Sequence, residues 1–151
     1  MCGFAGIFKN SPLTEVDKTA LAKMSEAIKH RGPDDARDVI EENCALSFRR
    51  LSIIDLEKGA QPFTHESGRY TAIFNGEIYN YLELRDELSK QGVVFSTRSE
   101  IEVLLELYIR DGKDFIKKLR GMFAIVIFDR QENSLFFGRD VFGIKPLYYR
   151  K

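Results

Sequence analysis

The run Met122-Phe123-Ala124-Ile125-Val126-Ile127-Phe128 constrains the chain most, because seven apolar residues follow one another without alternation. A strand with one wet face alternates with a period of two, so this run reads as a strand covered on both faces. It is far short of the roughly 20 residues that a membrane-spanning helix needs. A polar turn over 129–133 follows, and 134–139 reads as the returning strand of a hairpin. A hairpin whose inner strand is apolar on both sides needs a layer above and a layer below, sheet against sheet with helices outside.

The rest of the pattern supplies those layers. Leu21, Met24 and Ile28, flanked by Val16, Ala20 and Ala27, predict an amphipathic helix over 14–30 that Arg31-Gly32-Pro33 stops. Tyr81, Leu84 and Leu88 predict a second helix ending near Gly92. Ile101, Leu104, Leu105 and Tyr108 predict a third ending near Gly112 and opened by a capping box of Ser99 and Glu102. Phe115, Ile116 and Leu119 suggest one more short helix before Gly121. Further strands are expected at the N-terminus and over 44–54, 70–74 and 147–150, with Asn75-Gly76 as a turn after the third of these. Strands and helices come in blocks rather than in alternation, and Gly3-Phe4-Ala5-Gly6 lacks the full dinucleotide fingerprint, which argues against a doubly wound parallel sheet. The expected fold class is α+β, a four-layer α-β-β-α stack of antiparallel sheets.

Charge narrows the function. Lys plus Arg and Asp plus Glu both number 23, and no like-charge block stands out, so neither nucleic acid nor a membrane surface is an expected partner. The only cysteines, Cys2 and Cys44, do not make a disulfide framework, and no basic flank precedes an apolar N-terminal stretch, so a cytoplasmic setting is expected. With His30 and His65 the sole histidines and no close ligand pair, no metal site is predicted.

Cys2 gains chemistry if Met1 is removed, because its free α-amino group then lies beside its own thiol. Such an amine titrates near about 7.7–8.0 and a thiol near about 8.5, so proton transfer between them costs only about 1 kcal/mol. That is the logic of an N-terminal nucleophile for acyl transfer, and it needs no histidine. The alternative is an incidental small residue near a frayed end.

Six blocks bear on that choice: Cys2-Gly3-Phe4-Ala5-Gly6-Ile7, Arg31-Gly32-Pro33-Asp34, Arg50-Leu51-Ser52-Ile53-Ile54-Asp55, Gln61-Pro62, Asn75-Gly76-Glu77-Ile78-Tyr79-Asn80, and Gly138-Arg139-Asp140 with Gly143-Ile144-Lys145-Pro146-Leu147-Tyr148. In this order they resemble the glutaminase domain of glutamine-hydrolysing asparagine synthetases, class II glutamine amidotransferases of the N-terminal nucleophile hydrolase fold. The resemblance covers residues 2–151 as one amidotransferase domain. It implies a four-layer sandwich, a C-terminal truncation because the family's domain continues with further strands, and a separate synthetase domain. It implies that Cys2 attacks the side-chain amide of L-glutamine, releasing ammonia and leaving a thioester that water hydrolyses to glutamate. Asn75 and the Gly76 N–H match the oxyanion donors, Arg50 the substrate carboxylate's partner, and Leu51 and Ile53 the backbone lining. Glu77 and Glu100 match the ammonium's partners. Glu100 stands where the family has aspartate, and Arg98 where a glycine is frequent. Phe48 replaces a histidine and reads as packing, Arg49 as a solvated charge, and Arg31 as a cap on the preceding helix. No cofactor is implied for the glutaminase step. ATP and Mg belong to the synthetase domain, downstream or in trans, and a homodimer is left open. Two other readings remain: a catalytically silent interaction module of the same fold, and an amidotransferase acting on another acceptor.

Overall fold

The computed structural model describes residues 2–51 and 60–151. The chain divides into two compact units, the first built from the N-terminal residues and the second from Phe63 onward.

The first unit holds β1 (Gly3–Phe8), α1 (Glu15–Ala27), a 3-10 helix at Lys29–Arg31, β2 (Asp35–Ile40) and β3 (Cys44–Arg50). Its sheet has the order β1-β3-β2 and is antiparallel throughout, with Gly3 opposite Arg49 and Asp35 opposite Arg50. The central strand β3 is buried from Cys44 to Phe48, Phe48 included, as befits a packing residue. Helix α1 begins with a complete capping box, the Thr14 hydroxyl accepting from the Asp17 N–H while Asp17 accepts from the Thr14 N–H. Its buried line runs Leu21–Ser25 rather than Leu21–Met24–Ile28, and Met24 is exposed. The reason is polar. Ser47 on β3 is fully buried and donates to the Ser25 hydroxyl at 2.7 Å, so a hydroxyl pair seats the helix where a methionine was expected. Arg49 is no solvated charge either: its Nε donates to the Ser25 oxygens at 3.0 and 3.1 Å and its Nη2 pairs with Glu26 at 3.0 Å. Strand β2, Asp-Ala-Arg-Asp-Val-Ile, escapes a sequence reading because as an edge strand it needs no apolar face.

The second unit holds β4 (Phe63–Thr64), β5 (Tyr70–Ile78), α2 (Tyr81–Lys90), α3 (Glu100–Asp111), a 3-10 helix at Gly112–Lys118, β6 (Gly121–Asp129) and β7 (Ser134–Arg139). These strands form an antiparallel sheet in sequence order. The expected hairpin is β6–β7, and every residue of β6 from Phe123 to Asp129 is buried. One face of the sheet, with Ala72, Phe74, Ile78, Phe123, Ile125 and Ile127, packs with Leu84, Leu88, Leu104, Leu107 and Phe115 into a single core cluster. Two strand expectations change. Asn75-Gly76 is not a turn, since β5 runs through it to Ile78; and 147–150 carries no strand. The Ser99–Glu102 box is also absent. Ser99 makes no side-chain cap, and the Glu102 carboxylate turns back to the Ser96 and Thr97 N–H groups, both at 2.7 Å. Among the described residues no helix is long and apolar enough to cross a membrane.

Candidate active site

In the first unit the nucleophile candidate is held by backbone. Cys2 lies just before β1, half-buried and with a free thiol. Leu51, just past β3, donates its N–H to the Cys2 Sγ at 3.5 Å, and the Leu51 carbonyl lies 3.9 Å from the same sulfur. Arg31 does not cap α1; its Nε donates to the Cys2 carbonyl at 3.4 Å, and His30 Nδ1 approaches the Ala27 carbonyl instead, at 3.1 Å. The Arg-Gly-Pro-Asp block thereby acquires a physical cause. A Cβ on Gly32 would stand 2.4 Å from the Arg49 carbonyl atoms and 2.6 Å from the Arg50 nitrogen, so only glycine lets this segment lie flat on the end of β3. Asp34 N–H then donates to the Arg50 carbonyl at 3.1 Å. The segment thus fixes the Arg50 backbone and delivers Arg31 to Cys2. Ile53 lies outside the described residues.

In the second unit the parity of β5 decides what Gly76 can do. In an antiparallel strand each residue's N–H and C=O point to one side, and the side alternates. The Tyr70 carbonyl accepts from the His65 N–H at 2.9 Å, Ala72 is paired with Phe63, and the Ile78 N–H donates to Glu100 at 3.1 Å, so the even residues of β5 face away from β6. Strand β4 pairs only with Ala72 and Thr71. The Gly76 N–H therefore points away from β6, to the side on which β4 pairs with Ala72 and Thr71. Asn75 lies beside it with its side chain on the face opposite the helices, as does the exposed Glu77. Gly76 is required by contact: a Cβ there would sit 2.1 Å from the Met122 carbonyl oxygen and 2.7 Å from the Phe123 Cα.

Glu100 opens α3, and its carboxylate is anchored two residues along the same edge, on the Ile78 N–H. The loop before it is braced by Arg85, whose Nη2 donates to the Thr97 carbonyl at 2.7 Å and whose guanidinium lies 4.1 Å from the Phe95 ring centroid. Burial pushes the Glu100 pKa up to about 7 from 4.5; the Ile78 N–H opposes the rise and the Glu77 charge adds to it. The folded state therefore holds this proton more tightly than the unfolded chain does. The stability it contributes is complete below about pH 4.5 and is lost as pH rises through 7. Glu100→Gln, whose amide oxygen can still accept from Ile78, is expected to stabilise the protein at pH 8 by about 1–3 kcal/mol and to change little at pH 4. Thermal unfolding at the two pH values measures the difference, and equal shifts at both would contradict it.

Sequence reasoning gave no role to Gly32. It lies inside a quoted block, and the missing signal is a backbone contact that no side-chain pattern encodes. Among the described residues no group of three or more His, Cys, Asp or Glu could hold a metal ion.

By fold, the chain matches glutamine phosphoribosylpyrophosphate amidotransferase from B. subtilis with a TM-score of 0.72 over 93% of this chain and 37% of that one, at 20% identity. That likeness gives the fold class, α+β with antiparallel sheets. A sequence profile described as the glutamine amidotransferase domain matches residues 1–151, and the chain belongs to that family. It is 50% identical over 151 residues to asparagine synthetase [glutamine-hydrolyzing] 1 of Bacillus subtilis and 39% identical over 149 residues to asparagine synthetase B of Escherichia coli. These alignments take in 99% and 98% of this chain but only 24% and 26% of those proteins, so the chain spans about a quarter of their length.

Proposed function

We propose that this domain hydrolyses L-glutamine to L-glutamate and ammonia through a thioester on Cys2. The α-amine of Cys2, freed by removal of Met1, takes the thiol proton. The thiolate adds to the side-chain amide carbon, the Asn75 side chain and the Gly76 N–H hold the oxyanion, and the protonated amine returns its proton to the departing ammonia. Water then cleaves the thioester. Arg50 holds the substrate carboxylate, backbone at Leu51 and Ile53 lines the pocket, and Glu77 and Glu100 hold the ammonium. No cofactor enters this step. The ammonia is destined for an ATP-dependent synthetase domain, where ATP and Mg would bind.

The observation that carries this reading is the spacing along the edge of β5. The Gly76 N–H and the Ile78 N–H that anchors Glu100 are two residues apart, about 6.6 Å along a strand. In extended glutamine the amide carbon and the α-nitrogen are four bonds of about 1.5 Å apart, on the order of 5 Å in a straight line. The hydrogen bonds at either end take up the difference. Asparagine is one carbon shorter and cannot engage both ends, so it is expected to be a poor substrate. The test is to incubate the protein with each amide and measure acid and ammonia. Equimolar glutamate and ammonia from glutamine, with hydroxylamine diverting the product to the γ-hydroxamate, is the expected result. Release of neither sinks the reading, and equal turnover of asparagine sinks the spacing.

A further inference from the structure

Glu102 is buried, 5% exposed, the third residue of α3, and the chemistry above gives it no part. Its carboxylate takes four donors from the loop before the helix. Oε1 accepts from the Ser96 N–H and hydroxyl, both at 2.7 Å, and Oε2 from the Thr97 N–H at 2.7 Å and from the Thr97 hydroxyl. Burial alone would raise its pKa, but the Thr97 and Ser96 donors prevail and hold it below the usual carboxylate range.

The Thr97 hydroxyl has one proton, and it goes to Glu102. Its oxygen then accepts, from the Ser99 N–H at 3.1 Å and from the Ser99 hydroxyl at 2.7 Å. The Thr97 carbonyl accepts from Arg85 Nη2 at 2.7 Å. Every polar group of Thr97 is therefore committed, and a relay runs from Glu102 through Thr97 to Ser99. Ser99 is the N-cap of α3 and makes no side-chain bond to the first N–H groups of the helix. A terminus of that kind frays unless something outside it holds it. Here the relay does so. Glu100, the next residue, reaches the Ile78 N–H through Oε1 at 3.1 Å, one hydrogen bond that fixes its carboxylate only if the backbone beneath is fixed too. Glu100 is thus placed from two sides, by the sheet through Ile78 and by the loop through Ser99.

We propose, on the reading of Glu100 given above, that Glu102 is a positioning residue for substrate recognition: through Thr97 and Ser99 it fixes the first turn of α3, so that the Glu100 carboxylate meets the α-ammonium of glutamine. Glu102 touches no substrate. Its loss should weaken recognition of the ammonium and leave acyl transfer at Cys2 as it was, a split that a general loosening of the fold does not produce.

Glu102→Gln keeps the shape and removes one acceptor. The Ser96 and Thr97 N–H groups cannot turn, so whichever way the amide faces, one of them meets another donor. The expected result is a glutamine kcat/KM lower by about tenfold to a hundredfold, carried by KM, with kcat within about threefold. The probe for the ammonium is glutaramate, which is glutamine without its α-amino group. The wild type should hydrolyse it poorly, and Glu102→Gln should match the wild type on it within about twofold. In a Glu100→Ala background the effect of Glu102→Gln on glutamine should shrink to within about twofold. Unchanged kcat/KM for glutamine, equal losses with both amides, or losses that add in the double variant would overturn the proposal. Thr97→Val serves if Glu102→Gln does not fold, since it keeps the Thr97 N–H on Glu102 and cuts the relay. It should lower the preference for glutamine over glutaramate by about tenfold, and Thr97→Ser should restore it; a preference unchanged by Thr97→Val overturns the relay. A wild type that hydrolyses both amides equally removes the ammonium role of Glu100, and one that hydrolyses neither removes the glutaminase reading itself. A glutamine preference that these variants leave untouched removes only the role of Glu102.

Discussion

Cys2→Ala is expected to lower glutamine hydrolysis by at least about 10⁴-fold while leaving glutamine binding measurable. The size follows from what is lost. Without the thiolate no acyl-enzyme can form, and the surviving donors can only polarise the amide toward attack by water, a residue of catalysis about 10³–10⁴-fold above the solution reaction in enzymes stripped of their nucleophile. Binding survives because the groups proposed to hold the substrate's two charged ends, Arg50 and Glu77 with Glu100, do not involve the sulfur. The variant also removes the sulfur that accepts from the Leu51 N–H at 3.5 Å, so its stability should be measured alongside. Turnover is read as glutamate released per protein and binding by calorimetry. A variant that retains more than about a hundredth of wild-type turnover would exclude Cys2 as nucleophile. Intact mass sharpens the result, because a chain that keeps Met1 has its Cys2 nitrogen in a peptide bond, where it is not basic and cannot take the thiol proton, and such a chain should be as inactive as the variant.

Much of the fold was legible where burial imposes a pattern. The β6 run, the β6–β7 hairpin and the helices α2 and α3 all bury apolar side chains, and all occur within a residue or two of where periodicity puts them. The misses share a different cause. Strand β2 bears on an edge and needs no apolar face, α1 is seated by Ser25 on Ser47 instead of by Met24, and Glu102 satisfies the Ser96–Thr97 turn in place of Ser99. In each case a polar group found a partner that composition could not name. The candidate site divides in the same way. The side chains that would do chemistry stand out as residue types in ordered blocks, but what fixes them is backbone: Leu51 on Cys2, Gly32 under Arg49–Arg50, Phe123 beside Gly76. Asn-Gly shows the limit most clearly. It is the strongest short signal for a tight hairpin, yet here it lies inside a nine-residue strand because glycine is needed for close approach and not for a turn.

Gly76→Ala should therefore be costly twice over. The added Cβ would meet the Met122 carbonyl oxygen at 2.1 Å and the Phe123 Cα at 2.7 Å, both backbone atoms of a strand that cannot swing aside like a side chain. Gly121 adds to the constraint from the other strand, since a Cβ there would lie 2.1 Å from the Glu77 carbonyl oxygen; the two strands approach through a matched pair of glycines. Overpacking of this kind costs about 1–3 kcal/mol where neighbours relax and more where backbone must move. A loss of about 3 kcal/mol corresponds to a fall in Tm of roughly 6–12 °C for a chain of this length. To relieve the clash β5 must draw away from β6 at the very residue whose N–H is assigned to the oxyanion. The loss of one such donor lowers kcat by about 10²–10³-fold. Gly121→Ala provides the control, because it forces the same pair of strands apart without altering residue 76. If turnover, measured well below each variant's Tm, falls with Gly76→Ala far more than with Gly121→Ala at equal destabilisation, the Gly76 N–H acts in catalysis; equal losses would reduce both glycines to strand packing.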